Sequence, residues 1–172
     1  KTYYKSTNFS RKSLNNFWTR RWMRTLPLYF IILVLVYLID PSRRENFNIF
    51  HLFFSQNIAS PNPAFFHVSW SLAVEEWFYF CFPLVLFLIS KLTKSKDKPI
   101  ILSVSIFLIL PLLLRILHYN DPELFFNGSQ RQTTIFRLDS MMIGVLAAIL
   151  AIKYKKYWIK LKVPSLILGT LS

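Results

Sequence analysis

Long apolar runs separated by short polar connections dominate the pattern of this chain. Four runs have the length of a membrane helix and a fifth begins near the end of the sequence, at approximately 22–39, 70–90, 99–117, 134–152 and 163–172. About 20 helical residues cross the hydrocarbon core of a bilayer, which is about 30 Å thick. The pattern therefore predicts an all-α fold, a polytopic transmembrane helical bundle with four full spans and the start of a fifth.

Proline residues inside the apolar runs do not change this prediction. Pro27, Pro83 and Pro111 each fall within a predicted span. Proline is tolerated in membrane helices because neighbouring groups satisfy the backbone carbonyls that it leaves free. Hydrophobic residues make up 53% of the chain and charged residues only 17%, which argues against an ordinary soluble domain.

The distribution of charge predicts the orientation of the spans in the membrane. A net charge of +13 suggests a nucleic-acid partner in a soluble protein. Here, however, the connections 1–24, 91–98 and 153–162 hold sixteen Lys and Arg residues, and the alternate connections hold three. The positive-inside rule places the sixteen on the cytoplasmic side. We therefore expect an integral membrane protein whose partner is the lipid bilayer and not nucleic acid.

The segment 48–59 is apolar enough to be considered as a further span. If it crossed the bilayer, every later connection would change sides and the charge asymmetry would be lost. The sequence therefore favours a re-entrant or interfacial helix on the outer side. The chain contains a single cysteine, Cys81, within an apolar run. We expect neither a disulfide framework nor a metal site.

Ionisable residues at membrane depth are the candidates for chemistry, because a charge facing lipid costs a few kcal/mol. Glu75 and Glu76 point about 100° apart on a helix, so they cannot share one face. Ser71 and Tyr79 lie four residues on either side of Glu75 and form a polar stripe with it. This spacing predicts that Glu75 has the buried role and that Glu76 lies at a boundary.

The partners of these charges are not fixed by spacing. Arg137 and Asp139 diverge by about 200° on a helix, so each is expected to have its partner elsewhere. A pairing of Glu75 with Arg137 or Arg115 is predicted. Such a pair either holds helices together or forms part of a site, and the sequence leaves both interpretations open.

A basic cluster precedes the first predicted span. Arg20 and Arg24, or Arg21 and Arg24, share a helical face. Their planar guanidinium groups suit bidentate contacts with phosphate. Clusters of this kind also set topology and contact anionic lipids, and both interpretations remain open on spacing alone.

Three stretches together resemble the membrane-bound acyltransferase-3 family. The run WSLAVEEWFY at 70–79, followed by Pro83, is similar to that family's tryptophan, serine, leucine, glutamate, phenylalanine and tyrosine signature. The run RRWMRTLPLY at 20–29 is similar to its arginine pair with two intervening residues, and FRLD at 136–139, followed by Gly144, is similar to its later helix. The pair Gln56 and Asn57 also matches.

The resemblance implies an activity and a set of site residues. Such enzymes transfer an acyl group, often acetyl, from cytoplasmic acyl-CoA to a hydroxyl of a cell-surface carbohydrate or related acceptor in the bacterial cytoplasmic membrane. Acyl-CoA would be a co-substrate, with no bound cofactor. Arg21 and Arg24 would bind its phosphates and Glu75 would be the catalytic-site carboxylate. The remaining substrate-binding residues would be Trp70, Ser71, Tyr79, Arg137 and Asp139.

The chain also departs from the family pattern. Family members have two further spans at the start, and the first bears a histidine taken to be the catalytic base. No residue here takes that role, so we expect an internal fragment that covers spans three to six and the start of seven and is inactive by itself. The alternative is a non-enzymatic transporter component in which Glu75, Arg137 and Asp139 form a path for protons or substrate.

Overall fold

Four α-helices form the framework of the computed structural model, which describes residues 10–59, 64–93, 95, 97–118 and 132–154. They are α1 (Arg11–Ile39), α2 (Ser69–Leu92), α3 (Lys98–Leu117) and α4 (Met142–Lys153). Short 3₁₀ helices lie between them, at Pro41–Asn46, Ile49–Phe53, Ala64–Phe66 and Thr134–Phe136. No strand occurs among the described residues, and the predicted all-α fold class is confirmed.

Helices α1, α2 and α3 are long and apolar enough to cross a membrane. Helix α4 is apolar but has only 12 residues, because the predicted 134–152 span is divided. Its first part is the 3₁₀ helix Thr134–Phe136 followed by turns, and Met142 N–H donates to Asp139 O at 2.9 Å where α4 begins. The predicted partial span 163–172 lies outside the described residues.

Helix α1 begins well before the apolar run from which it was predicted. Ser10 caps it, with Oγ accepting a hydrogen bond from Ser13 N–H at 3.3 Å. A serine in this position satisfies one of the free amides at a helix start. The helix ends before Pro41, since the residue before a proline is disfavoured in helical conformation, and Asp40 is extended. The polar basic segment is therefore part of the same 29-residue helix as the apolar one.

Helix α2 lies between α1 and α3 and packs against both. On one side, a first core contains Tyr29, Leu33, Phe54, Phe65 and Ala73. On the other side, a second core joins α2 to α3 and α4 through Phe78, Leu86, Ile100, Val104, Phe107 and Met142. Within a bilayer, close packing of this kind holds helices together more than water exclusion does.

The connection between α1 and α2 folds back over the first core. The predicted 48–59 segment contains the 3₁₀ helix Ile49–Phe53 and ends in turns. Phe54, which follows that helix, has a left-handed backbone with φ of 55°. This conformation is uncommon for a bulky residue and persists where surrounding contacts hold it. Two such contacts are present, since its ring centroid lies 4.4 Å from that of Tyr29 and its carbonyl accepts from Trp77 Nε1 at 2.9 Å.

Asn57 joins the connection to two other parts of the chain. Its side chain is fully buried, and Nδ2 donates to the carbonyls of Trp70 and Gln132. Its own carbonyl accepts from Thr134 N–H at 2.8 Å. One amide side chain therefore connects the start of α2 to the segment that precedes α4.

Candidate functional site

The seam is the contact between α1 and α2 at which Trp18, Arg21 and Thr25 meet Tyr79, Glu75 and Glu76. Trp18, Arg21 and Thr25 lie three and four residues apart, so they share one face of α1. Trp18 Nε1 donates to Tyr79 O at 3.0 Å, Arg21 Nη2 to Glu75 Oε2 at 2.6 Å and Thr25 Oγ1 to Glu76 Oε1 at 3.0 Å. Because Trp18 reaches Tyr79, whereas the later residues Arg21 and Thr25 reach the earlier residues Glu75 and Glu76, the two helices run antiparallel.

The two adjacent glutamates have different environments. The side chain of Glu75 is 42% exposed and is paired with Arg21, whose guanidinium also lies 4.0 Å from the ring centroid of Tyr79. The side chain of Glu76 is 5% exposed. The prediction that Glu75 is the buried member is therefore wrong. The angle of about 100° between them turns Glu76 into the seam, where Thr25 reaches it, and leaves Glu75 at the margin.

The predicted partners of Glu75 are also wrong. Glu75 pairs with Arg21 on α1, and Arg115 in the last turn of α3 pairs with Asp139 in the turn before α4. Helix α1 supplies the partner because the basic segment that precedes its apolar run is helical and lies against α2. Asp139 has its partner on another element, as its spacing from Arg137 requires.

Arg137 makes no ion pair with any residue that the structure describes. It lies half-buried in the turn before α4. Its backbone N–H donates to Thr134 O at 3.0 Å, and its carbonyl accepts from Ser140 Oγ at 2.7 Å. Arg137 and Asp139 are thus built into a different part of the fold from Glu75.

A basic cavity of about 390 Å³ opens on one side of the seam. Its lining comes from one face of α1 and consists of Ser13, Asn16, Phe17, Arg20, Arg21 and Arg24. The charge of Arg21 is offset by Glu75. Arg20 and Arg24 are exposed, and neither forms an ion pair within the described ranges. Their two uncompensated guanidinium groups make the cavity suited to phosphate, which they can contact in bidentate geometry.

An aromatic groove of about 300 Å³ opens on the other side of the same seam. Residues of α1, of the connection and of α2 line it: Trp22, Leu26, Phe30, Leu52, Phe53, Phe54, Glu76, Trp77 and Phe80. The basic cavity and the aromatic groove therefore lie on different faces of α1, on either side of the contacts that Arg21 and Thr25 make with α2.

The position of the seam along the two helices indicates its depth in a bilayer. From Arg21 to the end of α1 is about 27 Å of helix, and from Glu75 to Lys91 near the other end of α2 is about 24 Å. These stretches extend in opposite directions because the helices are antiparallel. If the apolar residues of both stretches lie in the hydrocarbon core, the charged cluster lies between the two surfaces of the bilayer.

The remaining predicted residues lie near the start of α2. The carbonyl of Trp70 accepts from Asn57 Nδ2 at 3.4 Å. Ser71 is exposed, and its hydroxyl donates to Val68 O at 3.4 Å. The structure therefore brings Arg21, Glu75 and Tyr79 into contact, with Arg24 in the adjoining cavity.

Thr25 and Glu76 are site residues that the sequence reasoning did not identify. The available signal was the position of Thr25, four residues after Arg21 and on the same helical face. It became meaningful only once α2 was known to lie against that face. In the described part of the chain, no three His, Cys, Asp or Glu residues are grouped in a way that could hold a metal ion.

Comparisons with known proteins identify no relative of this chain. None of the models of known protein families matches the chain, and neither does any curated protein or solved structure.

Proposed function

We propose that this chain belongs to a membrane O-acyltransferase that moves an acyl group, often acetyl, from acyl-CoA to a hydroxyl of a cell-surface carbohydrate or related acceptor. The observation that carries the proposal is the basic cavity beside Glu75. It places Arg20, Arg21 and Arg24 on one surface and brings a carboxylate to its margin. The family resemblance assigns Arg21 and Arg24 to acyl-CoA binding and Glu75 to the site.

The arrangement of charge supports binding of a phosphate-bearing donor. Glu75 holds the Arg21 side chain in position at 2.6 Å, and the ring of Tyr79 packs beneath the guanidinium. An arginine fixed in this way loses less conformational freedom when it binds a ligand. Arg20 and Arg24 then supply the net positive charge that attracts the diphosphate of acyl-CoA.

The proposed reaction forms a carbon–oxygen bond, breaks a carbon–sulfur bond and moves one proton. The acceptor hydroxyl oxygen attacks the thioester carbonyl, the carbon–sulfur bond breaks, and the CoA thiolate leaves while a base takes the hydroxyl proton. By the family resemblance that base would be a histidine. His51 lies buried in the connection and packs against Phe65, so it is not offered for this role.

The proposed location is the bacterial cytoplasmic membrane, with 1–24, 91–98 and 153–162 on the cytoplasmic side. The ion pair between Asp97 and Lys153, at 2.6 Å, supports a common side for the last two of these segments. The basic cavity lies on the Arg11 half of α1, which would let it open toward cytoplasmic acyl-CoA.

A transporter component is not favoured by the same observations. That alternative requires Glu75, Arg137 and Asp139 to form one path. Within the described ranges, Glu75 pairs with Arg21 and Asp139 pairs with Arg115, so the charges form two separate ion pairs.

The test is acyl transfer from radiolabelled acetyl-CoA in membranes that carry the chain joined to the two further spans that the family resemblance implies. Arg24→Gln removes a cavity guanidinium that makes no ion pair in the described structure, and Arg11→Gln is the control because Arg11 is exposed and outside the cavity. Losing a charge-assisted hydrogen bond costs about 1.5–3 kcal/mol. We therefore expect Arg24→Gln to raise KM for acetyl-CoA about tenfold or more, and Glu75→Gln to reduce kcat. Unchanged kinetics in both variants would overturn the proposal.

A further inference from the structure

Glu76 is the one charged residue in the lining of the aromatic groove. Its Oε2 atom is buried and has no hydrogen-bond partner among the described residues. Its Oε1 atom accepts from Thr25, whose single hydroxyl proton is shared with the carbonyl of Arg21 at 3.2 Å. The carboxylate of Glu76 is 5% exposed. It therefore accepts one hydrogen bond, from a neutral hydroxyl that also donates to a second acceptor. Leaving a buried charged acceptor in this state is costly.

Arg21 compensates this charge only in part, through an ion pair that lacks a hydrogen bond. Its Nη2 lies 2.6 Å from Glu75, whereas its Nε lies 3.5 Å from Glu76 and forms no hydrogen bond. One guanidinium therefore serves two carboxylates and is held mainly by the more exposed one. The seam carries one net negative charge, and that charge faces the groove.

The rest of the groove lining is apolar, and six of its nine residues are aromatic. Trp77 Nε1 already donates to Phe54 O, so it is not free for a ligand. A ligand rich in hydroxyl groups, such as a sugar, would find a single free acceptor here and would lose most of its hydrogen bonds to water. Aromatic rings around a carboxylate that is only partly compensated instead match an organic cation, which gains from both the ring faces and the charge.

We propose that the aromatic groove is a binding site for an alkylammonium group, whose charge pairs with Glu76 and whose apolar part lies against the rings. This site is distinct from the basic cavity because the two lie on different faces of α1, and it stands whether or not the chain transfers acyl groups. The groove volume of about 300 Å³ is at the lower end of the range for small-molecule sites.

The test compares decyltrimethylammonium with 1-decanol, which has the same chain length and no charge. Both are titrated below their micelle-forming concentrations into the purified chain in nonionic detergent, with tryptophan emission as the readout because Trp22 and Trp77 line the groove. We expect the ammonium to bind at least about tenfold more tightly than the alcohol. Glu76→Gln should reduce this ratio to near one, and Glu45→Gln, which removes a carboxylate on the exposed 3₁₀ helix Pro41–Asn46, should leave it unchanged.

A second variant keeps the test decisive if Glu76→Gln does not fold. Leu52 is at the rim of the groove and is 37% exposed, so Leu52→Lys places a tethered ammonium within reach of Glu76. It should abolish binding of decyltrimethylammonium, whereas Leu52→Met should preserve it. Equal binding of ammonium and alcohol would show a merely apolar cleft, and absence of binding by both would show a groove closed to ligands. Either result overturns the proposal, as does a preference that survives Glu76→Gln or Leu52→Lys.

Discussion

Glu75 and Glu76 are neighbours in the sequence, yet a change at each should have a different consequence. Glu75 forms a short ion pair at the margin of the seam, where partial exposure weakens its contribution to stability. Glu76 lies within the seam and depends on Thr25. The sequence could identify this pair as unusual for an apolar helix, but their angular offset alone does not say which one faces the neighbouring helix.

Thr25 tests the environment of Glu76. Thr25→Val keeps the shape of the side chain but removes the hydroxyl, which leaves a buried carboxylate oxygen without a donor. We expect the free energy of unfolding to fall by about 1–3 kcal/mol, measured by denaturant titration in detergent. Thr19→Val, an exposed threonine on the same helix, should change it little.

A double-mutant cycle separates this effect from general packing. In a Glu76→Leu background the carboxylate is absent, so Thr25→Val should cost much less than in the wild type. An equal cost in both backgrounds would mean that the hydroxyl of Thr25 does not act through Glu76.

His51 predicts how stability depends on pH. Burial penalises the charged imidazolium and lowers the pKa of His51 below its ordinary value of 6.5. The unfolded chain therefore binds a proton more readily than the folded protein just below that value. We expect the melting temperature to fall as pH decreases from 6.5 toward the lowered pKa of His51 and then to level off with respect to this residue.

The variant His51→Phe should remove this part of the pH dependence, because it has no group to titrate there. The matched control is His118→Phe, since His118 is exposed at the end of α3. If the melting temperatures of the wild type and of His51→Phe change equally with pH between 6.5 and 5, His51 is not the source of the pH dependence of stability.

Among the elements, the boundaries of the helices show where local pattern succeeds and where it fails. Helix α3 was predicted at 99–117 and is observed at Lys98–Leu117, because an uninterrupted apolar run follows a proline, which suits the first position of a helix. Helix α1 starts much earlier than its apolar run. A hydropathy pattern reports burial in lipid and does not detect that the preceding polar residues continue the same helix.

The segment before α4 shows the opposite failure. Apolar residues continue from Ile135 to Ile152, which predicted one span, but Arg137, Asp139 and Ser140 fall in turns. Asp139 is held there by Arg115 from α3. A tertiary ion pair of this kind cannot be located from the local sequence.

Asn57 provides the element-scale prediction. Asn57→Ala removes both side-chain hydrogen bonds that join the α1–α2 connection to Trp70 and Gln132. The amides of Thr134 and Ile135 donate to the carbonyls of Asn57 and Ile58, so they should exchange with solvent deuterium faster in the variant. Asn46→Ala, at an exposed position of the same connection, should leave their exchange unchanged.

For the whole molecule, the predicted sidedness of the helices rests on charge asymmetry. The sequence alone carried this prediction, because the positive-inside rule uses counts and needs no packing. The depth of the seam required the structure, since it depends on which residue of α1 lies beside Glu75. The ion pair between Arg21 and Glu75 joins the basic cavity on α1 to a carboxylate of α2.

Thiol labelling tests this sidedness. In a Cys81→Ser background, Glu45→Cys lies between α1 and α2 and Ser95→Cys lies between α2 and α3. We expect a membrane-impermeant maleimide to label the cysteine at position 45 in intact cells and the one at 95 only after permeabilisation. The reverse pattern would show that the orientation is inverted.

The proposed role of the basic cavity is to bind the phosphates of CoA. Its most direct test is equilibrium binding of CoA and of pantetheine, which lacks the phosphates, to the purified chain in nonionic detergent. We expect CoA to bind at least about tenfold more tightly, since charge-assisted hydrogen bonds contribute about 1.5–3 kcal/mol each, and this preference to be lost in the double variant Arg20→Gln, Arg24→Gln. Equal binding of the two ligands, or a preference that the double variant retains, would contradict the account.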